Sequence, residues 1–365
     1  MRAMVMTDAG GPEVLQLREL PEPTITSPSQ IKVRLHAAGV NPVDTKLRSH
    51  GLFYDAQPPA ILGCDGAGEV VEVGTGVTRF AVGDAVWFCH GGLGREAGNY
   101  AEYTVIEQDQ AEDKPATVDW PDAAAGPLVL ITAWEALFDR GRLQEGQTVL
   151  VHGGAGGVGH VAIQLAKLRG ARVITTVSSA QKAAFAADLG ADECIDYTQQ
   201  DWVTAVNELT HGRGVQLCLD TVGPAVFRQS IPAVAHYGHL VTLLDPGSDL
   251  DLSEARVRNL SLAFTLMLTP MLRDLPEALA RHGEILRLCG EWMDEGKLAV
   301  ELGRTLPLEQ VAEAHRLIEA GHTQGKLVLT CLVPCRHISH AHPGLHSFRH
   351  PRPSRRTHRR AGEAL

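Results

Sequence analysis

Thr148-Val-Leu-Val-His-Gly-Gly-Ala-Gly-Gly-Val-Gly-His-Val-Ala-Ile-Gln-Leu-Ala-Lys167 reads as a strand, a glycine turn and a helix in one stretch. Val149, Leu150 and Val151 form a short apolar run. Five glycines follow, and Val158, Val161, Ala162, Leu165 and Leu168 then recur at helical spacing. Gly154, Gly156 and Gly159 fit G-x-G-x-x-G, in which the glycines allow a tight turn, backbone approach to a pyrophosphate, and close packing of helix on strand. The helix start, at Gly157, Val158 and Gly159, offers free N–H groups and the positive end of the dipole, which favour phosphate. Glycine-rich turns also occur in linkers and hairpins, but the flanking strand and helix are the context a dinucleotide site requires.

Working outward, strands at 171–177, 193–197, 215–220 and 239–244 alternate with helices at 180–189, 201–210 and 226–235. That rhythm predicts a parallel sheet covered on both faces, the doubly wound α/β layout. Residues 261–268 are a candidate sixth strand at an edge, either pairing with a second subunit or covered by solvent. Upstream of a helical stretch at 121–140, residues 1–20, 31–37, 66–77, 83–88 and 100–107 read as short strands broken by Gly and Pro turns, which predicts a barrel-like β domain. After the central sheet come a helix at 276–295, a strand at 297–306, a helix at 308–320 and a last strand at 326–332.

The 365 residues, 44% apolar and 21% charged, are those of a globular protein long enough for two domains. No apolar run reaches the roughly 18 residues of a membrane span. The N-terminus lacks the apolar core of a secretory signal, so a cytoplasmic protein is expected. Seven scattered cysteines read as reduced thiols. The net charge of −10 divides into +6 for residues 335–365 and −16 for the rest, and an acidic body argues against nucleic acid as its main partner. The composition of 335–365, rich in Arg and His, predicts disorder. Metal capture by its histidines and nucleic-acid contact by its arginines are the alternatives.

An NAD site places a carboxylate about 20 positions after the glycines, on the ribose 2′-hydroxyl. No Asp or Glu occurs from Ala171 through Ala187. Ser178, Ser179 and Lys182 instead supply the donors and positive charge of a 2′-phosphate site, and Tyr197 adds a hydroxyl. Lys182 reads otherwise as a solvated lysine in a first helical turn. The joint pattern predicts NADPH over NADH.

Ala38-Gly-Val-Asn-Pro-Val-Asp-Thr45, Gly63-Cys-Asp-Gly-Ala-Gly-Glu-Val-Val-Glu-Val-Gly74, Leu128-Val-Leu-Ile-Thr-Ala-Trp-Glu-Ala-Leu137 and Val151-His-Gly-Gly-Ala-Gly-Gly-Val-Gly159 together resemble the zinc-independent quinone oxidoreductases. These are the zeta-crystallin-like branch of the medium-chain dehydrogenase/reductase superfamily. The resemblance spans residues 1 to about 332. It implies a GroES-like β domain built from both ends of the chain (1–126 and 275–334), a central Rossmann domain (127–274), and a tail (335–365) outside the family. It also implies a cleft where NADPH reduces an acceptor, and a homodimer joined through the Rossmann-sheet edge.

By the same resemblance Asn41, Asp44 and Thr132 lie near the nicotinamide, and Leu244 and Lys326 are assigned to the cofactor. Asn41 is expected to bond the substrate oxygen or the carboxamide, or else to cap a loop. Thr132 is expected to fix the nicotinamide. Asp44 is expected to orient its neighbours or relay a proton, or else to stabilise a turn. Where many relatives carry an aromatic residue this chain has Lys46, which puts a tyrosine's role in doubt and offers a contact to phosphate or a substrate oxygen.

Zinc-dependent members of the superfamily ligate a catalytic metal through Cys, His and Cys. The corresponding regions here are Asn41-Pro-Val-Asp44, Cys64 and Gly126-Pro-Leu-Val129, and Cys89 stands alone where a structural zinc would need four cysteines. No metal site is expected. Cys64 reads as a packed thiol lining the cleft or as a modifiable thiol near the substrate. Without a Lewis acid, acceptors already activated by conjugation are favoured. Three functions stay open: an NADPH:quinone reductase, an enone or enoyl-thioester reductase, and an NADPH-binding sensor or RNA-binding protein with little turnover.

Overall fold

The computed structural model describes residues 1–331 apart from 322. The expectations for the tail at 335–365 lie outside the described residues. β1 (Arg2–Met6) pairs antiparallel with β2 (Leu15–Glu19). β3 (Gln30–Val40) is the long strand that delivers the chain to α1 (Pro42–His50). This helix is not among the elements predicted above. Its signal is present nonetheless: Asn41 is an N-cap, Pro42 takes the first helical position, and Asp44 completes a capping box. β4 (Ala60–Ile61) returns to β1 and closes a three-stranded sheet. β5 (Asp65–Val73), β6 (Ala85–Cys89), β7 (Tyr103–Glu107) and β8 (Glu112–Asp113) gather around β3.

The helical stretch expected at 121–140 divides in three. α2 (Trp120–Ala125) ends at Gly126, α3 (Pro127–Trp134) begins at a proline, and a π-helical turn follows over Glu135–Arg140. A proline lacks the N–H that would continue the first helix, so the second starts afresh there.

β9 (Thr148–Val151), α4 (Gly157–Leu168), β10 (Arg172–Val177), α5 (Ala180–Asp188), β11 (Glu193–Asp196), α6 (Trp202–Leu209), β12 (Val215–Asp220), α7 (Pro224–Ser230), β13 (Val234–Thr242), α8 (Ser253–Val257) and β14 (Ser261–Phe264) build the central sheet. Its order is β11-β10-β9-β12-β13-β14 and every pair is parallel. The order reverses at β9, which puts a ligand crevice outside the carboxyl ends of β9 and β12. Two boundaries differ from the sequence reading. The helix expected at 226–235 ends at Ser230 because Val234 already pairs with Val215, with a register shift before Leu217 meets His239. The edge strand stops at Phe264.

α9 (Thr269–Arg273) and α10 (Pro276–Asp294) lead back to β15 (Leu302–Pro307), α11 (Val311–Ala320) and β16 (Lys326–Thr330). β15 starts later than expected because the backbone before it is bonded to α4: Gln164 holds Ala299 and His160 holds Glu301. β16 runs antiparallel to β3, so the last strand completes the seven-stranded sheet begun by β3. One apolar cluster runs from Trp87 and Phe88 through Leu130 and Leu137 to Val161 and Leu165, joining the two large sheets. Among the described residues no helix is long and apolar enough to cross a membrane.

Candidate active site

The turn from β9 into α4 is made by backbone. Gly153 has φ +68°, a conformation that strains any side chain, and its N–H donates to Thr176 Oγ1 at 3.2 Å. A Cβ on Gly159 would stand 2.2 Å from the Gly153 carbonyl oxygen, so only glycine lets α4 pack this closely. Gly154 lies against Thr175, and Gly156 is the N-cap. The first-turn N–H groups of Gly157, Val158 and Gly159 have no intrahelical acceptor, since the ladder begins with His160 N–H on the Gly156 carbonyl (3.1 Å).

Two neutral histidines brace this turn. Ser230 Oγ donates to the Val226 carbonyl (2.7 Å), so it accepts from His152 Nε2 (3.0 Å), while His152 Nδ1 accepts from Thr176 Oγ1 (3.1 Å). His160 accepts the Glu301 N–H at Nε2 (3.0 Å) and donates from Nδ1 to the Gly156 carbonyl (3.0 Å). Both tautomers follow from the partners' own bonds. Burial depresses their pKa values to about 3 and about 4, so neither carries charge at neutral pH.

Ser178, Ser179 and Lys182 come together at the end of β10. Ser179 caps α5 by accepting the Lys182 N–H (3.3 Å), and Lys182 Nζ donates to Ser178 Oγ (3.2 Å). Tyr197 follows β11, half exposed, and its N–H on the Val177 carbonyl (3.1 Å) ties it to the same strand end. Asp196 is aligned with Val177 but turns its carboxylate to Thr198, accepting N–H at 2.9 Å and Oγ1–H at 2.7 Å. At the ends of β12 and β13, buried Asp220 accepts from Val222 N–H, Gly223 N–H and Thr242 Oγ1. Leu244 joins this edge through its N–H on Thr242 Oγ1 (3.2 Å).

The second half of the site is made by side chains from five distant segments. Asn41 Nδ2 donates to Asp65 Oδ2 (2.9 Å), and Asn41 Oδ1 accepts from Lys326 Nζ. Lys326 also donates to the Val40 carbonyl (3.0 Å) and stands 3.9 Å from Asp65. Asp65 Oδ1 accepts the Leu128 N–H (2.8 Å) at the start of α3, the helix that carries Thr132. Thr132 spends its hydroxyl hydrogen on the Leu128 carbonyl (2.6 Å), which leaves its oxygen free to accept. Asp44 Oδ2 accepts from the Asn41 N–H and from Tyr100 Oη, both at 2.8 Å, while Oδ1 is buried without a partner. Lys46 lies on the exposed side of α1, away from this cluster.

The halves meet at β16. Gly325 N–H donates to the Ala155 carbonyl (3.0 Å), and a Cβ on Gly157 would touch Lys326 Cδ at 3.4 Å. The lysine therefore reaches from the start of α4 to the Asn41 amide.

Burial dominates the electrostatics. Asp44 is pushed up to about 7 by desolvation, against the hydrogen bonds from Asn41 and Tyr100. Burial also raises Asp65 and lowers Lys326, each opposed by the other's charge. The donors on Asp65 and the carbonyl acceptors around Lys326 Nζ are the complement of the charged pair. The Cys64 thiol touches Cys89, which lowers its pKa, but burial and the neighbouring carboxylates leave it raised. Cys64 is fully buried.

This donor set does not fit zinc. Asn41 is already divided between a carboxylate and an ammonium, and among the described residues no three His, Cys, Asp or Glu side chains are grouped to hold a metal ion. A nicotinamide dinucleotide does fit, because the glycine turn leaves backbone donors free beside a crevice at the strand ends.

Sequence reasoning missed Asp65, Tyr100, His152, Asp220 and the pairing of Asn41 with Lys326. A lone Asp at the head of a glycine-rich strand was the available signal for Asp65. The rest depends on contacts between distant segments.

Two family profiles match the chain: the alcohol dehydrogenase GroES-like domain over residues 27–116 and the zinc-binding dehydrogenase over 189–329. A quinone oxidoreductase of Pseudomonas aeruginosa is 36% identical over 324 residues, covering 88% of this chain and 96% of that protein. A 2-haloacrylate reductase of a Burkholderia species is 31% identical over 339 residues, covering 90% and 98%. The crystal structure of Escherichia coli quinone oxidoreductase complexed with NADPH is 30% identical, with a TM-score of 0.80 over 90% of this chain and 100% of that one.

Proposed function

This chain belongs to the quinone oxidoreductase family of the medium-chain dehydrogenase/reductase superfamily, and we propose that it reduces a quinone with NADPH. The observation that carries the reading is the join at β16, where Lys326 links the start of α4 to the Asn41 amide. Bound NADPH supplies a hydride. The first turn of α4 would hold its pyrophosphate, Ser178, Ser179, Lys182 and Tyr197 would hold its 2′-phosphate, and Leu244 and the free hydroxyl oxygen of Thr132 would serve the rest of the cofactor.

Lys326 and Asp65 fix which way the Asn41 amide faces, leaving the second Nδ2 hydrogen to donate to the acceptor's oxygen as negative charge develops there. Asp44, with a pKa near neutrality and an unpartnered oxygen, is the proton donor that completes the hydroquinone. Residues 1–126 with 275–334 form the acceptor domain and 127–274 the cofactor domain. The edge strand β14, with Phe264 exposed, joins two copies into a dimer.

The resemblance to a 2-haloacrylate reductase favours a second reading, reduction of an alkene conjugated to a carbonyl or carboxylate. EDTA-treated protein is assayed for NADPH oxidation with 1,4-benzoquinone, 9,10-phenanthrenequinone and a 2-enone, and with NADH in place of NADPH. Faster turnover of a quinone with NADPH is expected. Preference for the enone moves the second reading ahead, and preference for NADH overturns the cofactor assignment.

A further inference from the structure

We propose that Asp44, Tyr100 and His315 form a buried proton line that recharges Asp44 from the α11 side of the molecule after each reduction. The proposal rests on the reading of Asp44 as the proton donor. α11 packs on α1, with Asp44 and Arg48 one turn apart on α1 and His315 and Glu319 one turn apart on α11. Tyr100 is fully buried between them. Its Oη donates to Asp44 Oδ2 at 2.8 Å, and His315 Nε2 stands 3.4 Å from Oη, at the long end of the hydrogen-bond range.

Because the tyrosine hydrogen is committed to Asp44, the imidazole must donate from Nε2. Every donor in the line then points toward Asp44. At each end is a buried atom with no partner, Asp44 Oδ1 and His315 Nδ1. Buried polar atoms are seldom left unpaired without a reason, and here the two open positions are where a proton would leave and where one would enter. Arg48, whose charge is felt by His315, is paired with Glu319, whose side chain is 37% exposed on the same side of the molecule.

In the step proposed, the Asp44 Oδ1–H bond breaks and its proton joins the oxyanion of the reduced acceptor. The Tyr100 proton moves to Asp44 Oδ2, the His315 Nε2 proton moves to Tyr100 Oη, and a solvent proton arrives at His315 Nδ1. One proton enters for each that leaves and no electrons move. Rotation of the Asp44 carboxyl and of the Tyr100 O–H, with loss of the imidazole proton from Nδ1 and its regain at Nε2 by exchange with solvent, restores the line. His315 works as a neutral imidazole, since burial and the nearby Arg48 hold its pKa to about 3. The charged and titratable groups facing Asp44 are Asp65, Lys326, Cys64 and Tyr100, and those facing His315 are Tyr100 and Arg48.

The first readout needs no cofactor. Nitrogen NMR of the ligand-free protein at neutral pH is expected to find His315 protonated at Nε2, and protonation at Nδ1 alone overturns the proposal. The second compares variants with a quinone acceptor. His315→Ala is expected to lose about tenfold in kcat, within the range of a proton-transfer contribution, with NADPH affinity unchanged. Added imidazole restores the rate and 1-methylimidazole, which fills the space but cannot pass a proton between its nitrogens, does not. Rescue by both, or an unchanged kcat, reduces His315 to a packing residue. If His315→Ala does not fold, Tyr100→Phe carries the test: a larger solvent deuterium isotope effect on kcat supports the line and an unchanged one overturns it. Asp44→Asn separates the two readings. If it is slow while His315→Ala and Tyr100→Phe are not, Asp44 is the donor without this line. If Asp44→Asn is as fast as the native protein, Asp44 is no donor and the line falls with it.

Discussion

The glycine turn at the head of α4 and the Asn41–Asp65–Lys326 cluster sit side by side and are built on opposite plans. The turn is backbone, drawn from one stretch of sequence, and its working N–H groups are left open. The cluster is side chain, drawn from segments up to 286 residues apart, and nearly every donor and acceptor in it is already engaged. An open backbone site binds a ligand that brings its own charge. A closed side-chain network holds one amide and one carboxyl in fixed poses. On the proposed function, affinity belongs to the first region and chemistry to the second, and substitutions in each should separate along that line.

Lys326→Met cuts deepest. It leaves Asp65 a buried carboxylate without its cation and Asn41 without its donor, a loss of about 3–5 kcal/mol for a broken buried pair. Thermal or denaturant unfolding should register it, and a loss within that of a surface substitution would mean that Lys326 and Asp65 are not a charged pair.

Next is the pH dependence set by Asp44. Its pKa rises from the ordinary 3.8 to about 7 in the fold. Between those values the native state holds a proton that the unfolded chain has released, so its contribution to stability is complete near pH 4 and is lost as the pH rises to 7. The loss is on the order of 4 kcal/mol. Denaturant unfolding across that window should flatten in Asp44→Asn, and an equal slope in both proteins contradicts the assignment.

Glycine substitutions test the turn itself. Gly159→Ala drives a Cβ to within 2.2 Å of the Gly153 carbonyl oxygen and should cost about 1–3 kcal/mol with weakened NADPH binding. Gly157→Ala meets only ordinary contacts with Lys326 and Val129 and should leave the melting temperature unchanged or slightly raised. Equal effects would mean that the turn is not closed by that approach.

The smallest effect is expected at the rim. Lys182→Ala should lower the preference for NADPH over NADH by about tenfold, roughly 1.4 kcal/mol, read from the two kcat/KM values. An unchanged ratio would return Lys182 to a solvated first-turn lysine.

How much could be read from the sequence follows the same division. Strand, glycines and helix are adjacent in the chain, and so are Ser178, Ser179 and Lys182, so local pattern was enough to find them. α1 is legible too, because Asn41-Pro-Val-Asp44 is an N-cap, a first-position proline and a capping-box acid. The Asp44 carboxylate caps Asn41 and also receives Tyr100. Tyr100, Asp65 and His315 carry no local mark of their role, since what makes them neighbours is the return of β16 and α11 to the first sheet. Lys46 is the opposite case, adjacent in sequence to the cluster but carried by helical rotation to the exposed side of α1.

The most direct test of this division is Asn41→Ala, with the NADPH dissociation constant and kcat for a quinone measured on the same preparation. NADPH affinity within about twofold of the native protein and kcat lower by about a hundredfold, as for loss of a donor to developing oxyanion charge, are expected. A native kcat would contradict the account, since the acceptor's oxygen would then be held elsewhere.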